Sequence, residues 1–428
     1  MCRRLLGVGV GVVVALCGSG ARAEGLSALT DGSRDATGVI QGMLDEAGKQ
    51  GGVVELPAGQ FRIDGSVRVP SGVTLQGQWR APHHGMYKLA TTLLACGGRG
   101  DEKQPAAVEL SPASAVKGLT FVWPEQRIDD VQPYPWAIHG AGMHGTVEDI
   151  TFINAYKGIA FGPEGHELSN IRHVYGCVLR MGVLIDSCTD ISKIENVHFN
   201  PHYWNRSEHP SRPTGGEGKE HPTMQVAQYM NTHLEAFVFG RTDWQYCLNT
   251  FVFGSKVGYK FIKSGSGACN GQFVGIGADA TQCGIYVEDS QPIAIHVTNG
   301  QFAPFWGPNP KGVYTGPNFK GCLQLSTCSF WGPMDQVAVL DGSGWVSFDQ
   351  CQFLHWDHAK KGLPAITVNG GKVMIKGCQF TRKGKDVQLG EKVRSAIIHS
   401  NLAGDAFEVD NAIGDRALIQ LNDPSPGK

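Results

Sequence analysis

Chemically capable side chains crowd one stretch of this chain and return shortly after it. Asp186, Asp190, His198, Asn200, His202, Tyr203, Trp204 and Arg206 lead into a polar loop; Arg241, Asp243 and Trp244 follow it. Each type suits saccharide chemistry. The indoles of Trp204 and Trp244 can stack on sugar rings, and the guanidinium forks of Arg206 and Arg241 can hold carboxylates or hydroxyls bidentately. Asp186, Asp190 and Asp243 offer the carboxylates that glycoside hydrolysis places on either side of the scissile bond. His202 and Tyr203 offer instead the base of an elimination, with arginine neutralising a substrate carboxylate. His198 joins Trp204, Arg206, Arg241 and Trp244 as a binding candidate.

Plainer readings compete. Asp190 and Asp243 each open a similar stretch, running to Phe199 and Phe253. Both therefore suit turn residues that bond their own backbone at a recurring corner, and for either alone that role outweighs catalysis. His198 alternates with Val197 and Phe199, as a strand's wall residue would. The dense run His202-Tyr203-Trp204 is harder to explain as a mere polar loop, which favours ligand contact for Trp204. Glu208, His209, Glu217, Glu220 and His221 read as a solvated loop rather than a metal-binding lid. His83-His84 and His139 lack partners at ligand spacing, and no CxxC or Cys/His zinc pattern occurs.

The elements that would position these groups are announced by a phrase. It reads Asn270-Gly271-Gln272-Phe273, Asn299-Gly300-Gln301-Phe302, Thr327-Cys328-Ser329-Phe330, Gln350-Cys351-Gln352-Phe353 and Gly377-Cys378-Gln379-Phe380, with phenylalanines 29, 28, 23 and 27 residues apart. Phe121, Phe152 and Phe199 close looser versions. Side chains alternate along a strand, so the small residue and the Phe share a face and recur in every rung of a stacked β-coil. A second phrase marks another strand: Gly158-Ile159-Ala160-Phe161, Gly182 to Ile185, Gly258 to Phe261 and Gly284 to Val287. Together they predict an all-β solenoid of about eleven rungs. Trp306, Trp331 and Trp356 follow repeat phenylalanines, as an aromatic ridge or as packing beneath a loop.

One gap interrupts the rhythm. Phe199 and Phe253 stand 54 residues apart, and the excess predicts an insertion at 200–242. It divides into a polar loop, Asn200 to Pro222, and a helix from an N-cap at Thr223 to about Phe239, closed by Gly240. Insertions on a solenoid emerge on one face, often the binding face. The two flanks of this one are expected to meet there, with Trp204 and Trp244 side by side.

The N-terminal run begins with Asp35-Ala36-Thr37 capping a helix to about Lys49, with Ile40, Met43, Leu44 and Ala47 on one side. Then come "GGVVELPAGQFRI" and "VPSGVTLQG". This stretch of about fifty residues resembles the N-terminal cap and first rungs of the pectate-lyase-like superfamily, closest to its rhamnogalacturonase/epimerase-like pectate lyase domain. The resemblance implies a single-stranded right-handed parallel β-helix capped by that helix. Its members include polysaccharide lyases, glycoside hydrolases, epimerases and phage tailspikes. No catalytic residue transfers, since neither the Gly-His-Gly run of polygalacturonase-like hydrolases nor a lyase arginine motif is present. Some members bind calcium, but no DxDxD-type run appears, and no cofactor or metal is expected.

Residues 1–23 read as a signal peptide, with Arg3 and Arg4, an apolar run from Leu5 to Cys17, and Ala21-Arg22-Ala23 as cleavage site. A secreted or periplasmic location follows as an expectation. The β-helix domain would span 24–423 and a flexible tail 424–428. No later stretch is long and apolar enough for a membrane span. Removing the leader moves the formal charge from −2 (37 − 39) to −5 (34 − 39), which argues against a nucleic-acid partner. Glycine, 58 of 428 residues, fits a fold of many tight turns. Twelve cysteines less the leader's two leave ten; Cys328, Cys351 and Cys378 hold equivalent repeat positions and read as stacked core residues.

The leading expectation is an exported enzyme cleaving an acidic, pectin-like polysaccharide, with hydrolysis slightly ahead of β-elimination. A non-catalytic glycan-binding β-helix is the competitor.

Overall fold

The computed structural model describes residues 26–81, 84–215 and 221–423. The leader (1–23), the tail (424–428), His83, Glu217 and Glu220 lie outside the described residues. The chain winds into a right-handed parallel β-helix of about 15 turns. Each turn lays one strand on each of three faces.

The repeat phrase has a simple backbone basis. Face 1 ends at a single residue in the left-handed region: Asp149, His173, Asn196, Asn249, Asn299, Thr327 and Gln350 all have φ between 51° and 57°. Glycine, which carries no Cβ penalty there, fills the position at 118, 275 and 377. The next residue points inward, the following one outward, and the third, usually Phe, inward on face 2. Register pairs Phe121 with Phe152, Phe302 with Phe330, Phe330 with Phe353 and Phe353 with Phe380. All are fully buried. Face 3 carries the second phrase, with Phe161 over Ile185, Ile185 over Phe239 and Phe239 over Phe261. Face 1 is held by an aliphatic column through Val147, Ile171 and Ile194.

Phe273 departs from the expected column. It lies on face 1, between Cys247 and Val297, while Ala278 occupies the face 2 position. Asn270-Gly271-Gln272-Phe273 therefore has the repeat's wording at a different corner. Leu93, Gly176, Val252, Ala278 and Ala403 also stand in the phenylalanine column. These unmarked levels account for the turns beyond the expected eleven.

Helix α1, Thr37–Gly48, caps the open end and buries Ile40 and Leu44. Asp35 Oδ1 accepts from the Thr37 amide (2.9 Å) and hydroxyl (2.5 Å). The insertion differs from expectation. A short helix α2, His202–Asn205, opens it, and helix α3 spans only Pro222–His233 with His221 at its N-cap. Glu235–Phe239 is a strand. Phe237 and Phe239 alternate into the core, above Val183 and Ile185 and beneath Tyr259 and Phe261. Register with the neighbouring turns overrides the helical reading, so the excursion covers 200–234 rather than 200–242.

All ten cysteines among the described residues are free thiols, with Cys328, Cys351 and Cys378 buried on successive turns. The expected tryptophan ridge is broken. Trp331 is exposed, but Trp356 is buried with its ring 6.1 Å from that of Phe380.

Candidate functional site

The insertion leaves face 2 after Phe199 and returns on face 3 at Glu235, so it straddles the corner between those faces. Residues 240–244 belong to the next corner, between faces 3 and 1. The expected single centre is thus divided. His198, His202, Tyr203, Trp204 and Arg206 gather at the first corner; Asp186, Asp190, Arg241, Asp243 and Trp244 occupy the second.

In the second group, Asp186, Arg241 and Asp243 are engaged in structural bonds, while Asp190 is exposed. Asp186 is buried, and its Oδ1 accepts from the Ser187 amide (2.8 Å), the Arg241 amide (2.8 Å) and the Ser264 hydroxyl (2.7 Å). Asp289 repeats the arrangement further along, accepting from the amides of Ser290, Lys320 and Gly321. The carboxylate ties adjacent turns together at a point where backbone donors would otherwise be orphaned. Asp190 and Asp243 precede Ile191 and Trp244, both with left-handed backbone (φ 44° and 67°), and the Ile191 amide donates to the Asp243 carbonyl. They stand at a recurring corner, where the turn reading put them, but their bonds there run through main-chain carbonyls and not from a carboxylate to its own backbone. Asp243 is further engaged by Arg241 Nη2 and Gln291 Nε2, each at 2.6 Å. Trp244 is half exposed on this corner.

Trp204 is also corrected. Its ring is fully buried, with Nε1 donating to Ser211 Oγ (3.3 Å). The same hydroxyl receives Asn154 Nδ2 (3.2 Å) and meets His209 Nδ1 (2.8 Å). Asn154 is a wall residue that also bridges the Trp123 backbone. Trp204 therefore fastens the insertion to the β-helix and is closed to a sugar ring.

What remains at the first corner is a coherent surface. His198 points outward from face 2, in register between Tyr175 and Phe251. Helix α2 brings Tyr203 back over it, and the Tyr203 hydroxyl lies 2.9 Å from His198 Nδ1. Tyr175 packs edge-on to Tyr203 and receives Asn196 Nδ2 on its hydroxyl (3.0 Å). Trp79 stacks on Tyr175, held by its Nε1 donating to Thr151 Oγ1 (3.0 Å). His202 stacks on Phe253. Exposed Arg206 stands close enough that, after burial, its charge helps lower the His202 pKa.

The electrostatics separate the pair. Burial, then the neighbouring His202, pulls His198 below 6.5, so its imidazole is neutral at pH 7. Burial, followed by Tyr175, pushes the Tyr203 phenol up to about 12, so it keeps its proton. His198 Nε2 is buried with no hydrogen-bond partner, leaving Nδ1 as the nitrogen that addresses a proton donor. Asp279 faces outward one turn beyond Phe253, its pKa raised by burial.

The sequence reading missed Tyr175, Trp79, Asn196 and Asp279. The signal was strand parity: Tyr175 precedes Gly176 as His198 precedes Phe199, but Gly176 hides its turn from a search for phenylalanine. Among the described residues, Glu148, Asp149 and His173 could offer three metal ligands within 4.8 Å. Glu148 is already held by Lys117 (3.0 Å) and Arg172 (2.5 Å), so cations of the protein's own fill that seat.

No family model matches the chain, and no curated protein matches it. Solved structures do. The A-module of Azotobacter vinelandii mannuronan C-5 epimerase AlgE4 is similar over 93% of this chain and 99% of its own, at 13% identity and TM-score 0.50. The tailspike protein of E. coli bacteriophage HK620, in complex with a pentasaccharide, is similar over 91% of this chain and 74% of its own, at 12% identity and TM-score 0.52. At such identities the likeness is one of fold.

Proposed function

We propose that the chain is an exported carbohydrate-active enzyme of the pectate-lyase-like kind, and that it attacks an acidic polysaccharide by proton abstraction beside a uronate carboxylate. The observation that carries this is the 2.9 Å contact between the Tyr203 hydroxyl and His198 Nδ1 on an outward strand face. The C5 proton of a uronate passes to the Tyr203 oxygen as the tyrosine's own proton moves to Nδ1. The C4–O4 bond then breaks, a C4–C5 double bond forms, and Tyr203 protonates the departing O4 while Nδ1 returns its proton to the tyrosine. Arg206 and His202 stand where a substrate carboxylate would be held. Elimination is favoured over hydrolysis because Asp186 and Asp243 are committed to turn contacts at a different corner. The two neighbours named above, an epimerase and a saccharide-bound tailspike, accord with a saccharide ligand.

A panel of acidic and neutral polysaccharides, read for reducing ends and for ultraviolet absorbance of unsaturated uronate, tests the assignment. Absorbance should rise with the wild type and fall at least ~10²-fold in rate for Tyr203→Phe. Reducing ends without absorbance would establish hydrolysis instead. Binding without cleavage of any substrate would make the protein a glycan-binding module.

A further inference from the structure

A concavity lies at the insertion's corner, a few turns towards the N-terminus. Three consecutive corner loops, at 64–66, 97–107 and 123–136, enclose a cavity of about 240 Å³ lined by Asp64, Ser66, Gln104, Trp123 and Trp136. We propose that this cavity is a binding site for a single uncharged pyranose residue, separate from the Tyr203–His198 surface.

Size comes first. Drug-sized ligands occupy roughly 300–1,000 Å³, so this space suits one small ring and not an extended chain. Its lining pairs indole with hydrogen-bonding groups, as a ring with one apolar face and several hydroxyls requires. Trp123 is fully buried and only backs the cavity, so Trp136, which is partly open, is the indole a ring can meet. Among the described residues Ser66 Oγ has no hydrogen-bond partner. Gln104 uses only its amide nitrogen, on Asp101 Oδ2 (2.8 Å), which leaves its carbonyl oxygen to accept. Asp64 is held by Arg62 through Oδ1 (2.6 Å), leaving Oδ2 to accept from a sugar hydroxyl.

Charge sets the class. No lysine or arginine is among the lining residues. Of the cations just outside it, Arg62 is paired with Asp64, Arg99 with Glu125 at 3.4 Å, and Lys157, which sits 5.2 Å from the Trp136 ring centroid, with Glu102 at 2.8 Å; Lys103 is exposed on the loop beside Gln104. A uronate would meet the Asp64 carboxylate, whose Arg62 partner is already engaged, with no cation in the lining to receive its own charge, whereas a neutral hexose, deoxyhexose or pentose meets the Asp64 and Gln104 oxygens, the Ser66 hydroxyl and indole. The two sites therefore divide a heteropolysaccharide between them, acidic residues at Tyr203 and neutral ones here.

Saturation-transfer NMR and calorimetry with glucose, galactose, mannose, rhamnose, xylose and glucuronate test the proposal on the whole protein. At least one neutral sugar should bind the wild type and Tyr203→Phe equally, and glucuronate should not compete. Trp136→Ala should weaken that binding by about tenfold or more. Gln104→Ala, on an exposed loop that tolerates truncation, should weaken it by several-fold, about one hydrogen bond's worth. Circular dichroism identifies any variant that does not fold, and Gln104→Ala then decides alone. The proposal is overturned if no neutral sugar binds, if glucuronate binds as well as the best neutral sugar, or if folded Gln104→Ala binds like wild type. Loss of binding in Tyr203→Phe would also overturn it, by merging the two sites. Failure of polysaccharide cleavage alone would touch only the elimination chemistry.

Discussion

At the scale of single residues, the surface is governed by which polar groups are already satisfied. His198 accepts the Tyr203 proton only as neutral imidazole, and burial holds its pKa below 6.5. A pH–rate profile should therefore show an acid limb below pH 6.5, falling as His198 protonates; a limb above 6.5 would point to another group. Asp186 makes the opposite prediction. Replacing it by alanine orphans two backbone amides and should cost roughly 3 kcal/mol of stability. Rate per folded molecule should stay within about twofold of wild type. Denaturant titration beside kinetics separates the two effects, and a large loss of rate at unchanged stability would restore Asp186 to catalysis.

Elements deliver these residues. Helix α2 holds Tyr203 over His198 because Trp204, its next residue, is plugged into the wall through Ser211 and Asn154. Trp204→Ala should cost about 3–5 kcal/mol where the cavity forms. Activity should fall with it, since Tyr203 loses its registration. Trp204→Phe should recover most of the stability and much of the rate. An alanine variant with full activity would mean that Tyr203 is positioned by something other than this anchor.

The whole molecule carries buried titratable groups of opposing sign. His166, with both ring nitrogens unpartnered, and His209 are driven down to about 4 chiefly by burial. Each favours the folded state fully above pH 6.5 and loses about 3 kcal/mol as pH falls to 4. Asp386, pushed up to about 7 by burial, acts in reverse, losing about 4 kcal/mol as pH rises from 3.8 to 7. Asp386→Asn should accordingly raise the unfolding midpoint at pH 8 and leave it unchanged or lower near pH 4. His166→Phe, set beside Phe161, should flatten the acid side of the stability profile.

Local spacing announced the solenoid because its causes are local. A left-handed corner, a small inward residue and an inward phenylalanine must recur wherever one turn lies on another, so Phe302, Phe330, Phe353 and Phe380 declared their column without coordinates. The helix opening at Thr37 was legible for the same reason. Long-range registration decided the rest. Only the stacking of Phe237 on Val183 and beneath Tyr259 made residues 235–239 a strand, and that strand put Arg241, Asp243 and Trp244 one corner away from Tyr203. The order of amino acids supplied the reactive side chains; which of them share a surface depended on how far the chain travels around each turn, a distance that spacing along the sequence does not encode.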